Sequence, residues 1–228
     1  MKEVKASDYS IFIGQESLQA YDFNSYKQLA ILVDENTKRD CLPIFLKATN
    51  IDAILIEIPS GEEHKNLEKC QLIWNLLSSY HFDRNSLLIN LGGGVVGDMG
   101  GFAASTYKRG IDFIQIPTSL LAMVDASIGG KLGVDFAYLK NQIGLFNNPK
   151  AVLINPVFLN SLPKNQLLSG FADNILLKLV VNVKSFPFLY THSGFAPKWS
   201  LTKCTSFSFG LYQTIDPCQL LCTKNSNP

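Results

Sequence analysis

The chain has no long apolar run, no charge excess and no paired-cysteine motif. None of its apolar stretches approaches the roughly 20 residues that cross a bilayer. The N-terminus, Met1-Lys2-Glu3-Val4-Lys5-Ala6-Ser7-Asp8, has no apolar core for a signal peptide. A cytoplasmic location is therefore expected, and no membrane partner. A net charge of +1 provides no general field for nucleic acid, so no nucleic-acid partner is expected either. The five cysteines, Cys41, Cys70, Cys204, Cys218 and Cys222, include no Cys-x-x-Cys pair and none at zinc spacing with a histidine. They read as unpaired thiols of a reducing compartment. Only three histidines occur, His64, His81 and His192, widely separated; they do not compose a metal site. Acidic residues also run out, because Asp216 is the only one beyond Asp173.

What is present suits a globular α/β protein. With 228 residues, 46% of them apolar, the chain can bury a substantial core as one large domain or two small ones. Apolar strands are expected at Ala30–Asp34, Ala53–Pro59, Leu87–Leu91, Asp112–Pro117 and Ala151–Asn155. Helical stretches are expected around Pro43 from Lys38 to Lys47, from Asn66 to Tyr80, after the glycines at 92–94, and from Thr118 through Val124. A turn and short helix are expected over Pro156–Leu168. This alternation predicts a Rossmann-like, doubly wound, mostly parallel sheet with flanking helices. In that architecture ligands bind beyond the carboxyl ends of the strands. Asp34, Gly61, Gly92 and Thr118 all stand at such ends.

Gly92-Gly93-Gly94-Val95-Val96-Gly97-Asp98 is the densest motif. Gly92, Gly94 and Gly97 satisfy G-x-G-x-x-G between a strand and a helix, where backbone N–H groups can meet a phosphate. A tight structural turn satisfies the spacing equally. Asp34 suits a ribose diol, and it also suits a helix N-cap. Glu62 and Lys65 flank a turn after a strand and also read as an ordinary solvated loop. Asp125-Ala126-Ser127-Ile128-Gly129-Gly130-Lys131 sets an acid and a cation around a glycine pair, fit for an anionic group or for a plain surface turn. Arg109, at a helix end, suits a phosphate or simply the helix dipole.

Together these segments resemble the 3-dehydroquinate synthase family of sugar phosphate cyclases. The resemblance runs from about Ile31 to Ala172. It is carried by Asp34-Glu35-Asn36-Thr37, Ser60-Gly61-Glu62-Glu63-His64-Lys65, the glycine motif, Tyr107-Lys108-Arg109-Gly110, the run Pro117–Lys131, Lys140-Asn141 and Phe158-Leu159-Asn160-Ser161. It implies an NAD+-dependent, metal-dependent lyase (zinc or cobalt) of the shikimate pathway. Such an enzyme converts the sugar-acid phosphate DAHP into 3-dehydroquinate and phosphate. It further implies that Asp34, Asn36, Glu62 and Lys65 contact the adenosine half of NAD+. Gly93, Gly94, Val95, Asp98, Thr118 and Ser119 would hold its pyrophosphate and nicotinamide half, and Lys131, Lys140, Phe158 and Ser161 would complete the cofactor site. Asp125, Lys131, Asn141 and Arg109 would contact substrate, Arg109 at its phosphate. A homodimer is common in the family. An NAD-binding module without catalysis and another sugar phosphate cyclase are the alternatives; the Asp125–Lys131 run disfavours a polyol dehydrogenase.

The resemblance stops at Asp173. The family's first metal ligand is the glutamate of Gly-x-Ala-Glu-x-x-Lys, followed much later by two histidines. Here Gly170-Phe171-Ala172 is followed by Asp173, and Leu176 occupies the lysine position. The expected division is an NAD-binding domain over 1–172 and a poorly ordered tail over 173–228, in place of the family's all-helical domain. One metal ligand, Asp173, remains. A reading-frame shift near codon 173 explains the break with a single cause, and turnover by this chain is expected to be slight or absent.

Overall fold

The computed structural model describes residues 1–6 and 8–181, with side chains up to Ala172. The expected tail beyond residue 181 lies outside the described residues. The strands are β1 (Lys2–Lys5), β2 (Ser10–Ile13), β3 (Gln28–Asp34), β4 (Ile54–Ile58), β5 (Ser86–Gly92), β6 (Asp112–Pro117), β7 (Lys131–Phe136), β8 (Leu139–Phe146) and β9 (Ala151–Ile154). The helices are α1 (Glu35–Asp40), α2 (Leu42–Thr49), α3 (Leu67–Ser79), α4 (Gly94–Thr106) and α5 (Lys164–Val181).

Seven strands form one sheet in the order β1-β2-β9-β6-β5-β3-β4, parallel throughout except for β1. Every residue of β5 is buried. That explains its unbroken apolar reading, since helices cover both faces of a central parallel strand. Ile31, Val33, Leu87, Ile89 and Leu91 pack against Cys41, Leu42 and Phe45 of the α1–α2 side. Ala30, Leu32 and Leu88 pack against Cys70, Ile73 and Leu77 of α3 and Met99 and Ala103 of α4. The chain moves outward from β3 to β4, then crosses back to place β5 on the other side of β3. The strand order therefore reverses between β3 and β5, and the crevice of a doubly wound sheet opens there.

Several local expectations are refined. The helix read around Pro43 is two helices, α1 and α2, meeting at Cys41. Proline cannot donate to the carbonyl four residues back, so α1 ends first and Pro43 is placed in the opening turn of α2. The segment after Thr118 makes one short turn and then a π-turn over Ala122–Ala126, which carries Asp125; π-turns are frequent at functional sites. The β1–β2 pair and the antiparallel β7–β8 hairpin have no counterpart in the sequence reading. Helix α5 runs across the break at Asp173 without interruption. Among the described residues no helix is long and apolar enough to cross a membrane.

Candidate cofactor site

The carboxyl ends of β3, β4, β5 and β6 bring the scattered motifs together. Helix α4 starts directly after β5 with Gly93 as its N-cap, and no side chain caps it. The N–H of Gly97 is the first to reach back, to the Gly93 carbonyl at 3.0 Å, so the preceding N–H groups of the first turn point into the crevice. None of Gly92, Gly93 and Gly94 has a positive φ; these glycines provide close approach, not left-handed backbone. A Cβ on Gly93 would face the Ser119 hydroxyl at 3.6 Å, and one on Gly94 would face the Ala126 methyl at 3.5 Å. Thr118 is tied to the same turn, its N–H donating to the Gly92 carbonyl at 3.0 Å.

Deeper in α4, glycine serves packing. Gly97 faces the Gln115 amide, and Gly100 leaves room for Asn90 of β5, whose side-chain oxygen would collide with a Cβ there. The two functions share one stretch: its exposed end forms a cradle and its buried end lets the helix lie close on the sheet.

Beside the cradle lies a cluster of charge. The Lys65 side chain, only 4% exposed, donates to Asp98 Oδ2 at 2.6 Å and to Asn141 Oδ1 at 2.7 Å. Burial pushes the Asp98 carboxyl above its usual pKa; Lys65 pulls it down, and Glu62 and Asp125 add to the rise through their charges. Lys140 pairs with Glu62 at 3.5 Å. Six residues predicted from four separate segments, Glu62, Lys65, Asp98, Asp125, Lys140 and Asn141, therefore share one neighbourhood.

Asp34 ends β3 and caps α1 through a full capping box. Its Oδ1 accepts from the Thr37 N–H at 2.7 Å, while the Thr37 hydroxyl accepts from the Asp34 N–H at 3.0 Å. Both sequence readings of Asp34 coexist, because the box engages Oδ1 and leaves Oδ2 without a recorded bond. Asn36 is exposed on the first turn of α1. Next to it, Glu35 grips Ser60, accepting from its N–H at 2.8 Å and from its hydroxyl at 2.7 Å. Those bonds hold the Glu35 carboxyl below the usual range. Sequence reasoning missed this clamp, which joins the Asp34 loop to the Glu62 loop.

Other predicted residues lie apart. Phe158 is 1% exposed, its ring packed in the core. Ser161 donates to the Phe158 carbonyl at 3.2 Å and approaches the Cys41 thiol. Val95 is half-buried on the first turn of α4. Lys131 is exposed at the start of β7, four residues from Asp135. Arg109 follows the far end of α4, about 20 Å along the helix from Gly94, in consecutive left-handed conformations with Lys108 (φ 68° and 49°). The structure does not bring Arg109 to this crevice. Asp173 is on α5, three residues after Gly170, whose Cβ position meets Leu120 and the Leu121 backbone at 2.8 Å; its side chain lies outside the described residues. Among the described residues no three His, Cys, Asp or Glu side chains group to hold a metal ion. A cleft of about 860 Å³ at the amino ends of β3 and β4, lined by Tyr21, Asp22, Tyr26, Asn50 and Asp52, contains none of the motif residues.

The fold and this crevice define a Rossmann-like α/β domain whose ligand surface lies beyond the strand ends. The chain belongs to the 3-dehydroquinate synthase family: the model described as 3-dehydroquinate synthase N-terminal matches residues 55–169, just over half of it. A 3-dehydroquinate synthase of Sulfurovum sp. (strain NBC37-1) is 52% identical over 146 residues, 64% of this chain and 41% of that protein. The chain spans about half the length of the curated relatives it matches. Among solved structures, 2-epi-5-epi-valiolone synthase from Streptomyces hygroscopicus subsp. jinggangensis 5008, with NAD+ and Zn2+ bound, superposes with a TM-score of 0.67 at 27% identity; 79% of this chain and 51% of that one are covered. A 2-deoxy-scyllo-inosose synthase complexed with carbaglucose-6-phosphate, NAD+ and Co2+ superposes with a TM-score of 0.74 over 82% of this chain and 53% of that one. At 22% identity it supports the fold alone.

Proposed function

We propose that this chain is the NAD+-binding part of a 3-dehydroquinate synthase and that on its own it releases little or no phosphate from DAHP. The observation that carries the cofactor reading is the uncapped start of α4 at the β3–β5 switch point, beside the Lys65–Asp98–Asn141 cluster. The residues present fit NAD+: open N–H groups for a pyrophosphate, a carboxylate at the end of β3 for a ribose diol, and glycines where a Cβ would fill the cradle. When bound, NAD+ supplies a hydride acceptor and donor. The first turn of α4 and Thr118-Ser119 hold its phosphates, Asp34 and Asn36 orient its adenosine ribose, and Lys140 with Glu62 borders the same half. Lys65 neutralises Asp98 and turns Asn141 toward the crevice. Asp125 and Lys131 serve the hydroxyl and anionic groups of a sugar-acid phosphate.

The metal half of the chemistry does not fit in the same way. The described residues contain no ligand cluster, and the sequence departs from the family's ligand motif at Asp173 and Leu176. For that reason an NAD-binding module without catalysis is the second reading. The break also supports a reading-frame shift near codon 173; resequencing refutes it if no shifted frame encodes a helical continuation with the motif's missing ligands.

Calorimetry with NAD+, followed by a phosphate-release assay with NAD+, Zn2+ or Co2+ and DAHP, tests the proposal. Binding without release is expected. Substantial release overturns the inactivity, and absence of binding overturns the cofactor site.

A further inference from the structure

The β7–β8 hairpin is irregular at one place. Val134 pairs with Ile143 and Phe136 with Leu139, so one residue of β7, Asp135, faces three of β8: Lys140, Asn141 and Gln142. Two of those three are candidate site residues. Asn141 itself is in the left-handed region at φ 52°. Its N–H has left the hairpin ladder and donates instead to Asp135 Oδ1 at 2.8 Å. The Asp135 N–H has left the ladder too and donates to the Lys65 carbonyl at 2.8 Å, extending a parallel bridge between Asn66 and Asp135. Lys65 closes the ring by donating from Nζ to Asn141 Oδ1 at 2.7 Å.

We infer that Asp135 is a positioning residue of the cofactor site, holding the β8 bulge so that Lys140 and Asn141 face the crevice. Three hydrogen bonds connect Asp135, Lys65 and Asn141 in a closed cycle, and the Lys65–Asp98 pair ties that cycle to the first turns of α4. A bulge re-aims side chains and is typical beside binding sites. Here it presents consecutive residues, one to Glu62 at 3.5 Å and the other to Lys65. Left-handed backbone at a non-glycine residue persists only where its surroundings over-determine it, and the Asp135 carboxylate is what receives the displaced amide. Without it the bulge has no fixed register. The inference rests on the reading of this crevice as an NAD+ site only for its effect on binding, not for the bulge itself.

The test compares the full chain with Asp135→Ala, Asp135→Asn, Asn141→Ala and the Asp135→Ala/Asn141→Ala double variant. In the ligand-free protein, amide hydrogen exchange should protect the Asn141 N–H, lose that protection in Asp135→Ala and recover it in Asp135→Asn, whose side-chain oxygen still accepts. By calorimetry, Asp135→Ala should weaken NAD+ about tenfold, one hydrogen bond's worth. Asp135→Asn should restore most of the affinity, and the double variant should bind no worse than the weaker single variant. Unchanged exchange at Asn141 in Asp135→Ala overturns the inference, as do additive losses in the double variant. If the unaltered chain binds no NAD+, the cofactor reading fails while the exchange experiment still decides the role of Asp135.

Discussion

Burial raises the Asp98 carboxyl, and the Lys65 ammonium at 2.6 Å lowers it without cancelling the rise. The folded protein therefore keeps a proton on Asp98 at pH values where the unfolded chain has already lost it. The group's contribution favours folding at low pH, declines as pH climbs from the ordinary carboxylate range through the raised folded value, and is flat above that. Carboxyl NMR should place the Asp98 midpoint above the usual aspartate value. Lys65→Met should raise that midpoint further and destabilise the fold by about 3 kcal/mol at neutral pH, because a buried charge loses its partner. A midpoint unchanged in Lys65→Met would show that the pair does not form. A second consequence at this scale concerns Cys41 and Cys70. Burial pushes their thiols up to about 11 and about 12, so almost no thiolate exists at neutral pH. Mass spectrometry after native alkylation should find both unmodified, and both labelled once denaturant is added.

At the scale of elements, α4 depends on glycine for contact with the sheet. Asn90 is 1% exposed, and neither side-chain polar atom has a partner; it fits beneath the helix because Gly100 has no Cβ. Gly100→Ala should cost about 1–3 kcal/mol by overpacking. Asn90→Ala in the same chain should recover much of that loss, since the atom in the way is gone. Urea unfolding measures both, and additive costs would contradict the packing.

The elements also show what was legible. The strands from β3 to β6 read clearly because helices bury both of their faces and leave continuous apolar runs. The cradle and its neighbours were legible as motifs. The β7–β8 hairpin was not. Leu139–Asn141 and every other residue of β8 are exposed, with only Ile143 and Leu145 half-buried, so no two-residue apolar period survives. Its turn places Ala137 and Tyr138 in left-handed backbone (φ 50° and 65°), without the Asn-Gly or Asp-Gly signal such turns usually carry. Asp135 and the Glu35–Ser60 clamp were invisible for a related reason. Both act through backbone groups distant in sequence, and no spacing encodes that. Phe158 shows the converse, an aromatic that matched a family motif and whose ring packs in the core.

The whole molecule combines an ordered sheet with a sequence that leaves its family's pattern at Asp173. It matches curated relatives over about half of their length. The cofactor crevice is built entirely from residues before that point. Binding and turnover should therefore separate: NAD+ bound, phosphate not released.

NAD+ calorimetry on the full chain beside Gly93→Asp tests the central claim most directly. Asp is a good N-cap, and a side chain at position 93 meets only an ordinary contact with Ser119 at 3.6 Å. Gly93→Asp should therefore keep or raise the melting temperature while placing a carboxylate where the pyrophosphate belongs. The predicted result is one NAD+ bound by the unaltered chain and none by Gly93→Asp. No binding by the unaltered chain, or equal binding by both, would contradict the cofactor site at the start of α4.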